Sequence, residues 1–214
     1  MTPPFLAASR QSPIDVEPAL KVDCAQQLSV QWTKQELVFH TDRSDDKTKF
    51  EHIANKNASV TLSGEKYLLR ELHFHAPSEH FKGERQFDGE LHIVHQHPTS
   101  ARFVVLAFFL VVKRNVPGWI DQFFPSPKPG RPIKQKGSDL APNREDLASY
   151  YLYQGSLTTP PFAETVSWVV FPNPRFVDKA TYAYLDKESK GARGLQARDD
   201  RFVLLMSRPK RGKS

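Results

Sequence analysis

Cysteine is almost absent from this chain of 214 residues, in which Cys24 is the only one. An intramolecular disulfide is therefore excluded, and the shortage favours a reducing compartment. The amino-terminal sequence MTPPFLAASR also lacks the charged start and the long apolar run of a secretory signal peptide. These two absences predict a cytoplasmic protein.

Long hydrophobic runs are missing as well. The longest apolar stretch, Phe103 to Val112, is far shorter than the roughly 20 residues that a membrane-spanning helix needs, so no membrane span is expected. The formal net charge is +6, and a basic tail covers residues 208–214. Such a tail can attract nucleic acid. Because the other basic residues are scattered and no nucleic-acid motif occurs, we predict a solvated tail and no nucleic-acid partner.

The composition favours many short strands over long helices. Runs rich in Val, Phe and Tyr are separated by 17 prolines and 10 glycines, which is typical of strands joined by turns. With 39% hydrophobic residues, the chain can bury the core of one domain. We predict a mainly β, α+β fold as a single domain over residues 1–214, with a short amino-terminal arm at residues 1–10.

Five of the eight histidines lie between His73 and His95, on two stretches that alternate like strands. Alternation puts the side chains of His73 and His75 on one face of the first strand. If the second strand pairs antiparallel to the first, His92 joins them. Three neutral imidazoles leave a fourth position open, as in catalytic zinc sites, where the pKa of a bound water falls to about 7. The spacing therefore predicts a zinc site.

Four segments together resemble the α-class carbonic anhydrases, in that family's order and at similar spacing. They are QSPID from Gln11, LHFHAPSEH from Leu72, GELHIVH from Gly89 and YQGSLTTPPFAETVSW from Tyr153, within a resemblance that spans about residues 11–208. The resemblance implies a large twisted, mostly antiparallel central sheet with a few short peripheral helices and zinc at the base of a conical cleft. It also implies reversible hydration of carbon dioxide to bicarbonate and a proton by zinc hydroxide.

The resemblance assigns roles to individual residues. His73, His75 and His92 match the zinc ligands, and Thr158 matches a threonine that donates a hydrogen bond to a buried glutamate, here Glu79. Because a hydroxyl has one proton to give, Thr158 would then accept from the nucleophile and orient it. The residues that match the family's substrate pocket are Val94, Val105, Leu157, Thr159 and Trp168.

Two carboxylates are expected behind the ligands, where hydrogen bonds set imidazole orientation and basicity. Glu90 matches the family's partner of the third ligand, His92. Glu71 stands where the family usually carries a glutamine behind His73. A carboxylate there should make the imidazole a stronger donor to the metal, so we expect the midpoint of the pH–rate profile to fall in a Glu71→Gln variant.

The N-x-G-H segment that carries the proton-shuttle histidine in fast members of the family is absent. An ungapped match puts Thr48 near that position, and threonine cannot relay a proton at neutral pH. His40 or His52 are alternative relays, and a solvated loop histidine is the competing interpretation of each. We therefore expect turnover limited by proton transfer and accelerated by imidazole.

Two alternative functions come from other classes. The spacing of His73, His75, Glu79 and His92 imitates a cupin metal site, in which Glu79 would be a ligand to iron or manganese. The gap between the two cupin motifs would be too short, and SLTTPP would have no purpose. The second alternative is a catalytically weak or inactive carbonic-anhydrase-like binding domain. The sequence leaves the oligomeric state and any partner besides carbon dioxide and bicarbonate open.

Overall fold

The structure is a computed structural model that describes residues 9–23, 27–42, 49–52, 58–114, 118–120, 132–189 and 191–208. Cys24, Thr48 and the tail after Arg208 lie outside the described residues. The predictions made for the first eight residues of the amino-terminal arm do as well.

Strands dominate the described residues. They are β1 (Leu20–Asp23), β2 (Leu28–Val30), β3 (Glu36–Asp42), β4 (Lys49–His52), β5 (Ser59–Leu62), β6 (Glu65–His75), β7 (Phe81–Lys82), β8 (Arg85–Gln86), β9 (Gly89–Gln96), β10 (Phe103–Lys113), β11 (Ile133–Lys136), β12 (Ser149–Gly155), β13 (Val166–Asp178) and β14 (Leu204–Ser207). The helices are α1 (Gly137–Leu140), α2 (Lys179–Glu188) and a 3-10 turn at Asp146–Ala148. The prediction of a mainly β fold with few short helices is confirmed.

Twelve of these strands form one mixed sheet, in the order β1-β14-β12-β13-β10-β9-β6-β4-β3-β11, with β2 and β5 attached beside β6. The pairs β1–β14 and β10–β13 are parallel. The other pairs in the sheet are antiparallel. The mostly antiparallel sheet implied by the family resemblance is therefore present, and β7 and β8 form a separate hairpin.

The central strands are buried on both faces, which explains their nearly continuous apolar sequence. In β9, Leu91 and Ile93 pack into the larger hydrophobic cluster, whereas Val94 belongs to a second cluster on the opposite face. Val105 and Trp168 lie in that second cluster too. Because side chains alternate along a strand, His92 shares the face of Val94. The histidine site therefore lies on the face that the second cluster lines.

Among the described residues, no helix is both long and apolar enough to cross a membrane. This agrees with the short apolar runs of the sequence. The longest described helix, α2, covers Lys179–Glu188 and begins where the Asp178 side chain accepts a hydrogen bond from the backbone N–H of Ala180 at 2.8 Å. Serine, threonine, asparagine and aspartate are preferred at this position because they satisfy a free N–H of the first turn.

Candidate metal centre and cleft

The three histidines predicted as ligands come together on neighbouring strands. β6 and β9 pair antiparallel, with His73 directly opposite His92 and His75 two residues further along β6. The ring centroids of His73 are 5.1 Å from His75 and 5.2 Å from His92, and the centroids of His75 and His92 are 4.6 Å apart. One ring nitrogen from each lies within 4.8 Å of the others. The spacing of the sequence therefore predicts this convergence correctly.

Each histidine turns its other ring nitrogen toward an acceptor. Nδ1 of His73 lies 3.1 Å from Oε1 of Glu71, and Nε2 of His92 lies 2.8 Å from Oε1 of Glu90. Nδ1 of His75 lies 3.4 Å from the carbonyl oxygen of Gly191. Neutral imidazoles placed in this way carry their hydrogens on the outer nitrogens, a tautomer inferred from the hydrogen bonds. Their free lone pairs then point inward.

The inward nitrogens fit a bound cation. Nε2 of His73 and Nδ1 of His92 are only 3.3 Å apart. Two lone pairs repel each other at this distance unless a proton or a metal ion lies between them. His75 and His92 are buried, and His73 is 12% exposed on the cleft side. Three nitrogen ligands with an open side are the donor set of catalytic zinc.

Glu90 holds the third histidine from behind and is fully buried. Its Oε1 also accepts from Nδ1 of His80 at 2.7 Å, and its Oε2 accepts from the backbone N–H of His80 at 2.8 Å. Burial by itself would raise the pKa of this carboxyl, but the charges and N–H groups of His80 and His92 outweigh burial and hold the pKa well below its usual range. These contacts therefore favour the ionised form of Glu90.

His80, Glu90 and His92 also bring potential metal-binding atoms together. In this group Glu90 Oε1 faces an N–H on each imidazole, so its oxygens are already used as hydrogen-bond acceptors. The arrangement resembles the carboxylate–histidine pairs that stand behind metal ligands. We interpret the group as support for His92 and not as a second metal centre.

Glu79 lies beside the second ligand. Its Oε1 accepts from the backbone N–H of Arg193 at 3.0 Å and lies 3.3 Å from Nδ1 of His75. Its Oε2 is buried and has no hydrogen-bond partner among the described residues. The bond expected from Thr158 to Glu79 is thus not among those that the described residues make, and it stays a prediction. Since Glu79 faces an outer nitrogen of His75, the cupin-like set with Glu79 as a ligand is not supported.

Two of the histidines, His73 and His92, line a cleft of about 580 Å³. It is lined by Glu51, Arg70, Glu71, His73, His92, Val94, Gln96, Phe103, Val105, Leu157, Thr158, Thr159 and Trp168. The five residues predicted for the substrate pocket are all in this lining. One side of the cleft is therefore apolar and the other carries charged side chains next to the metal ligands.

The family model for eukaryotic-type carbonic anhydrase matches residues 2–198. The chain belongs to that family. It is 34% identical to alpha carbonic anhydrase 8 of Arabidopsis thaliana over 71% of this chain and 41% of that protein. It is 31% identical to dioscorin DB3S of Dioscorea polystachya over 71% of this chain and 60% of that protein. The chain therefore spans less than two thirds of the length of these two curated relatives.

Solved carbonic anhydrases share the fold. The Photobacterium profundum alpha-carbonic anhydrase aligns with a TM-score of 0.78 at 26% identity, covering 93% of this chain and 90% of that one. The family likeness thus extends over nearly the whole chain. Family membership makes zinc the expected occupant of the histidine centre.

Polar residues that the sequence analysis did not identify, Glu51 on β4 and Arg70 on β6, line the cleft beside the histidine centre. Glu51 on β4 is directly opposite Glu71 on β6, and His40 on β3 is directly opposite Glu51. His40 is exposed, and Glu51 is exposed and lines the cleft. The other proposed relay, His52, is paired in register with Phe39. The row results from the registers of the β3–β4 and β4–β6 pairs, which no local motif indicates.

A buried hydrogen-bond chain behind His80 was also missed. Nε2 of His80 lies 2.6 Å from the hydroxyl oxygen of Tyr153, which lies 2.9 Å from Oγ of Ser12. Burial raises the pKa of the Tyr153 hydroxyl well above its usual value. The chain therefore connects the QSPID segment to the support of His92. The proximity of Tyr153 to SLTTPP was the available sequence signal.

Proposed function

We propose that this protein catalyses the zinc-dependent reversible hydration of carbon dioxide, in which carbon dioxide and water give bicarbonate and a proton. The observation that carries the proposal is the convergence of nitrogen atoms from His73, His75 and His92 within 4.8 Å of one another. The position of His73 and His92 in the lining of a cleft with an apolar side adds support, because carbon dioxide has neither charge nor strong hydrogen-bonding groups.

Zinc is the cofactor that we assign to the three histidines. When bound to three imidazoles, it supplies Lewis acidity and lowers the pKa of a coordinated water to about 7. The protein's part is to orient the ligands and to fix their tautomers. Glu71 and Glu90 do this for His73 and His92 by accepting their outer N–H groups at 3.1 and 2.8 Å.

The apolar side of the cleft would receive the substrate. Val94, Val105 and Trp168 are at most 8% exposed, and they form a wall beside His92. The ring of Trp168 packs against His92, with the centroids 4.8 Å apart. This wall excludes water from one side of the reacting carbon and leaves Leu157 and Thr159 to narrow the cleft from the SLTTPP segment.

Thr158 and Glu79 would orient the attacking oxygen. Oε2 of Glu79 is buried and lacks a partner among the described residues, and the hydroxyl of Thr158 can supply the missing proton. Once Thr158 donates to Glu79, its oxygen can only accept a further hydrogen bond. That constraint turns a lone pair of the attacking oxygen toward the substrate carbon, which lowers the entropic part of the barrier.

The released proton would leave through solvent and buffer. Among the described residues that line the cleft, the only histidines are His73 and His92, which are assigned to the metal. His40 lies two strands away from Glu71 in the row through Glu51. We therefore propose that proton transfer limits turnover, with His40 as a distant relay at most. Imidazole should raise the rate, and a rate indifferent to small buffers would contradict this step.

The decisive experiment is stopped-flow carbon dioxide hydration by protein whose zinc content has been measured. We expect a rate above buffer that an aromatic sulfonamide suppresses. The His92→Ala variant should lose both zinc and activity, whereas His97→Ala, a histidine outside the cluster, should keep both. A folded, zinc-loaded protein without a rate above buffer would refute the proposal.

A binding role without catalysis is the second candidate. It is favoured by the 31% identity to dioscorin DB3S. Stoichiometric zinc without hydration activity would support it. The cytoplasmic location also stays a prediction, which fractionation of cells that express the chain can test.

A further inference from the structure

The end of the sheet at β1 is open among the described residues. β1 occupies the last position in the strand order and pairs only with β14 there. Three of its four residues are exposed, and Leu20 is 53% exposed. An exposed strand edge offers backbone groups to a second strand, so natural proteins usually cover or protect it.

The backbone direction of β1 follows from one hydrogen bond. The N–H of Leu20 donates to the carbonyl oxygen of Val203 at 2.9 Å, so Leu20 turns its backbone groups toward β14. Backbone groups of successive residues in a strand point to opposite sides. Lys21 and Asp23 therefore turn their N–H and C=O groups outward, away from the sheet.

The geometry points to a symmetric dimer in which β1 of one copy pairs antiparallel with β1 of a second copy. With the twofold axis at Val22, Lys21 of each copy lies directly opposite Asp23 of the other. Both residues have outward backbone groups, so each such pair exchanges two N–H···O=C hydrogen bonds. The dimer gains four backbone bonds and two Lys–Asp ion pairs, and one continuous sheet spans both copies.

Charge selects this register over its neighbours. If the two copies shift so that Lys21 faces Lys21, or so that Asp23 faces Asp23, residues with outward backbone groups still face each other and can form hydrogen bonds. Both shifts, however, place like charges directly opposite each other. Such pairs are destabilising, whereas opposite charges across a strand pair are favourable. The sequence LKVD is thus complementary to itself in one antiparallel register only.

An apolar surface lies beside β1 on one face of the sheet. Leu20 is in register with Leu204, which is in register with Leu152. These leucines and Phe202, which is 70% exposed, line a hollow of about 390 Å³. A four-residue strand pair alone is smaller than the roughly 1,000 Å² of buried surface that a specific interface needs. The dimer is therefore expected to be weak, and its population should depend strongly on protein concentration.

Sedimentation velocity over a hundredfold concentration range tests the dimer directly. We expect the weight-average mass to rise from 24.4 kDa toward twice that value. Lys21→Asp and Asp23→Lys should each weaken dimerisation at least tenfold, because each places like charges face to face. The double variant Lys21→Asp/Asp23→Lys should restore it. Lys66→Asp, on an exposed position of β6, changes the net charge by the same amount as Lys21→Asp and should dimerise normally.

Hydrogen exchange supplies the second measurement. The outward amides of Lys21 and Asp23 should become protected as concentration rises, and those of the Lys21→Asp variant should not. A mass of 24.4 kDa at every concentration would overturn the inference. A dimer that survives both single charge reversals, or one that the double variant fails to restore, would overturn it as well. These measurements do not involve carbon dioxide hydration, so their outcome is independent of the proposed function.

Discussion

Replacing Glu90 by glutamine tests whether this carboxylate holds the metal ligand and the fold together. The side chain is fully buried and accepts three hydrogen bonds, two from His80 and one from His92. A glutamine of nearly the same shape keeps only one acceptor oxygen. In its better orientation this oxygen keeps the two imidazole bonds, and the amide group then opposes the backbone N–H of His80.

The magnitude follows from these three contacts. A hydrogen bond to a charged group contributes about 1.5–3 kcal/mol and a neutral one about 0.5–1.5 kcal/mol, so two weakened bonds cost about 1 kcal/mol each. Leaving the backbone N–H of His80 unpaired in the interior costs about 1–3 kcal/mol more. We therefore expect the free energy of unfolding of the zinc-free Glu90→Gln protein to fall by about 3–5 kcal/mol.

Urea unfolding of the zinc-free variants measures this change, and competition with a chelator measures zinc affinity. Affinity should fall about 10–100-fold, as for other outer partners of metal-bound histidines. Glu65→Gln is the matched control, because its carboxylate pairs with Arg102 on the surface and should unfold close to the parent. A Glu90→Gln protein that loses less than about 1 kcal/mol with unchanged zinc affinity would refute the reasoning.

Three further predictions address packing, pH and metal. Gly155→Ala should lower the free energy of unfolding by about 1–3 kcal/mol, as measured by thermal or urea unfolding, because a Cβ there would meet Oγ of Ser12 at 2.1 Å. Gly194→Ala is the control and should leave the free energy of unfolding nearly unchanged, because a Cβ there would meet nothing within 4 Å. Burial, and to a smaller extent the neighbouring Glu17, raises the pKa of Tyr151 in the folded protein. The free energy of unfolding should therefore fall above about pH 10, where the tyrosine ionises in the unfolded chain but not in the folded one. In Tyr151→Phe the free energy of unfolding should fall less steeply with pH. Zinc should raise the melting temperature of the parent but not of His92→Ala.

The alternation of side chains on a strand determines much of the site before any tertiary structure is known. His73 and His75 share a face because they are two residues apart, and His92 joins them through one antiparallel pairing of strands that are close in sequence. The same local rule puts Leu91 and Ile93 into the core behind the site. Short apolar runs between turn residues likewise predict the mainly β fold.

Residues whose position depends on an exact strand register, or on segments far apart in the chain, escaped prediction. Glu51 lines the cleft because β4 pairs with β6 in one particular register, and a shift of one residue would turn Glu51 away from the cleft. Arg70 lines it where the register between β6 and β9 shifts, between Leu69 and Glu71. Tyr153 reaches His80 across 73 positions of the chain. No local pattern specifies such a register, since it results from packing the whole sheet.

The sequence by itself therefore determined the strand periodicity, the three imidazoles and the SLTTPP segment. The tertiary structure alone decided that the outer nitrogen of His75 meets the carbonyl oxygen of Gly191, that Oε2 of Glu79 is buried without a partner among the described residues, and that β1 lies at the sheet edge. The physical reason is the distance along the chain over which each kind of interaction acts. Periodicity acts over a few residues, whereas hydrogen-bond partners and edges are set by contacts between segments far apart along the chain.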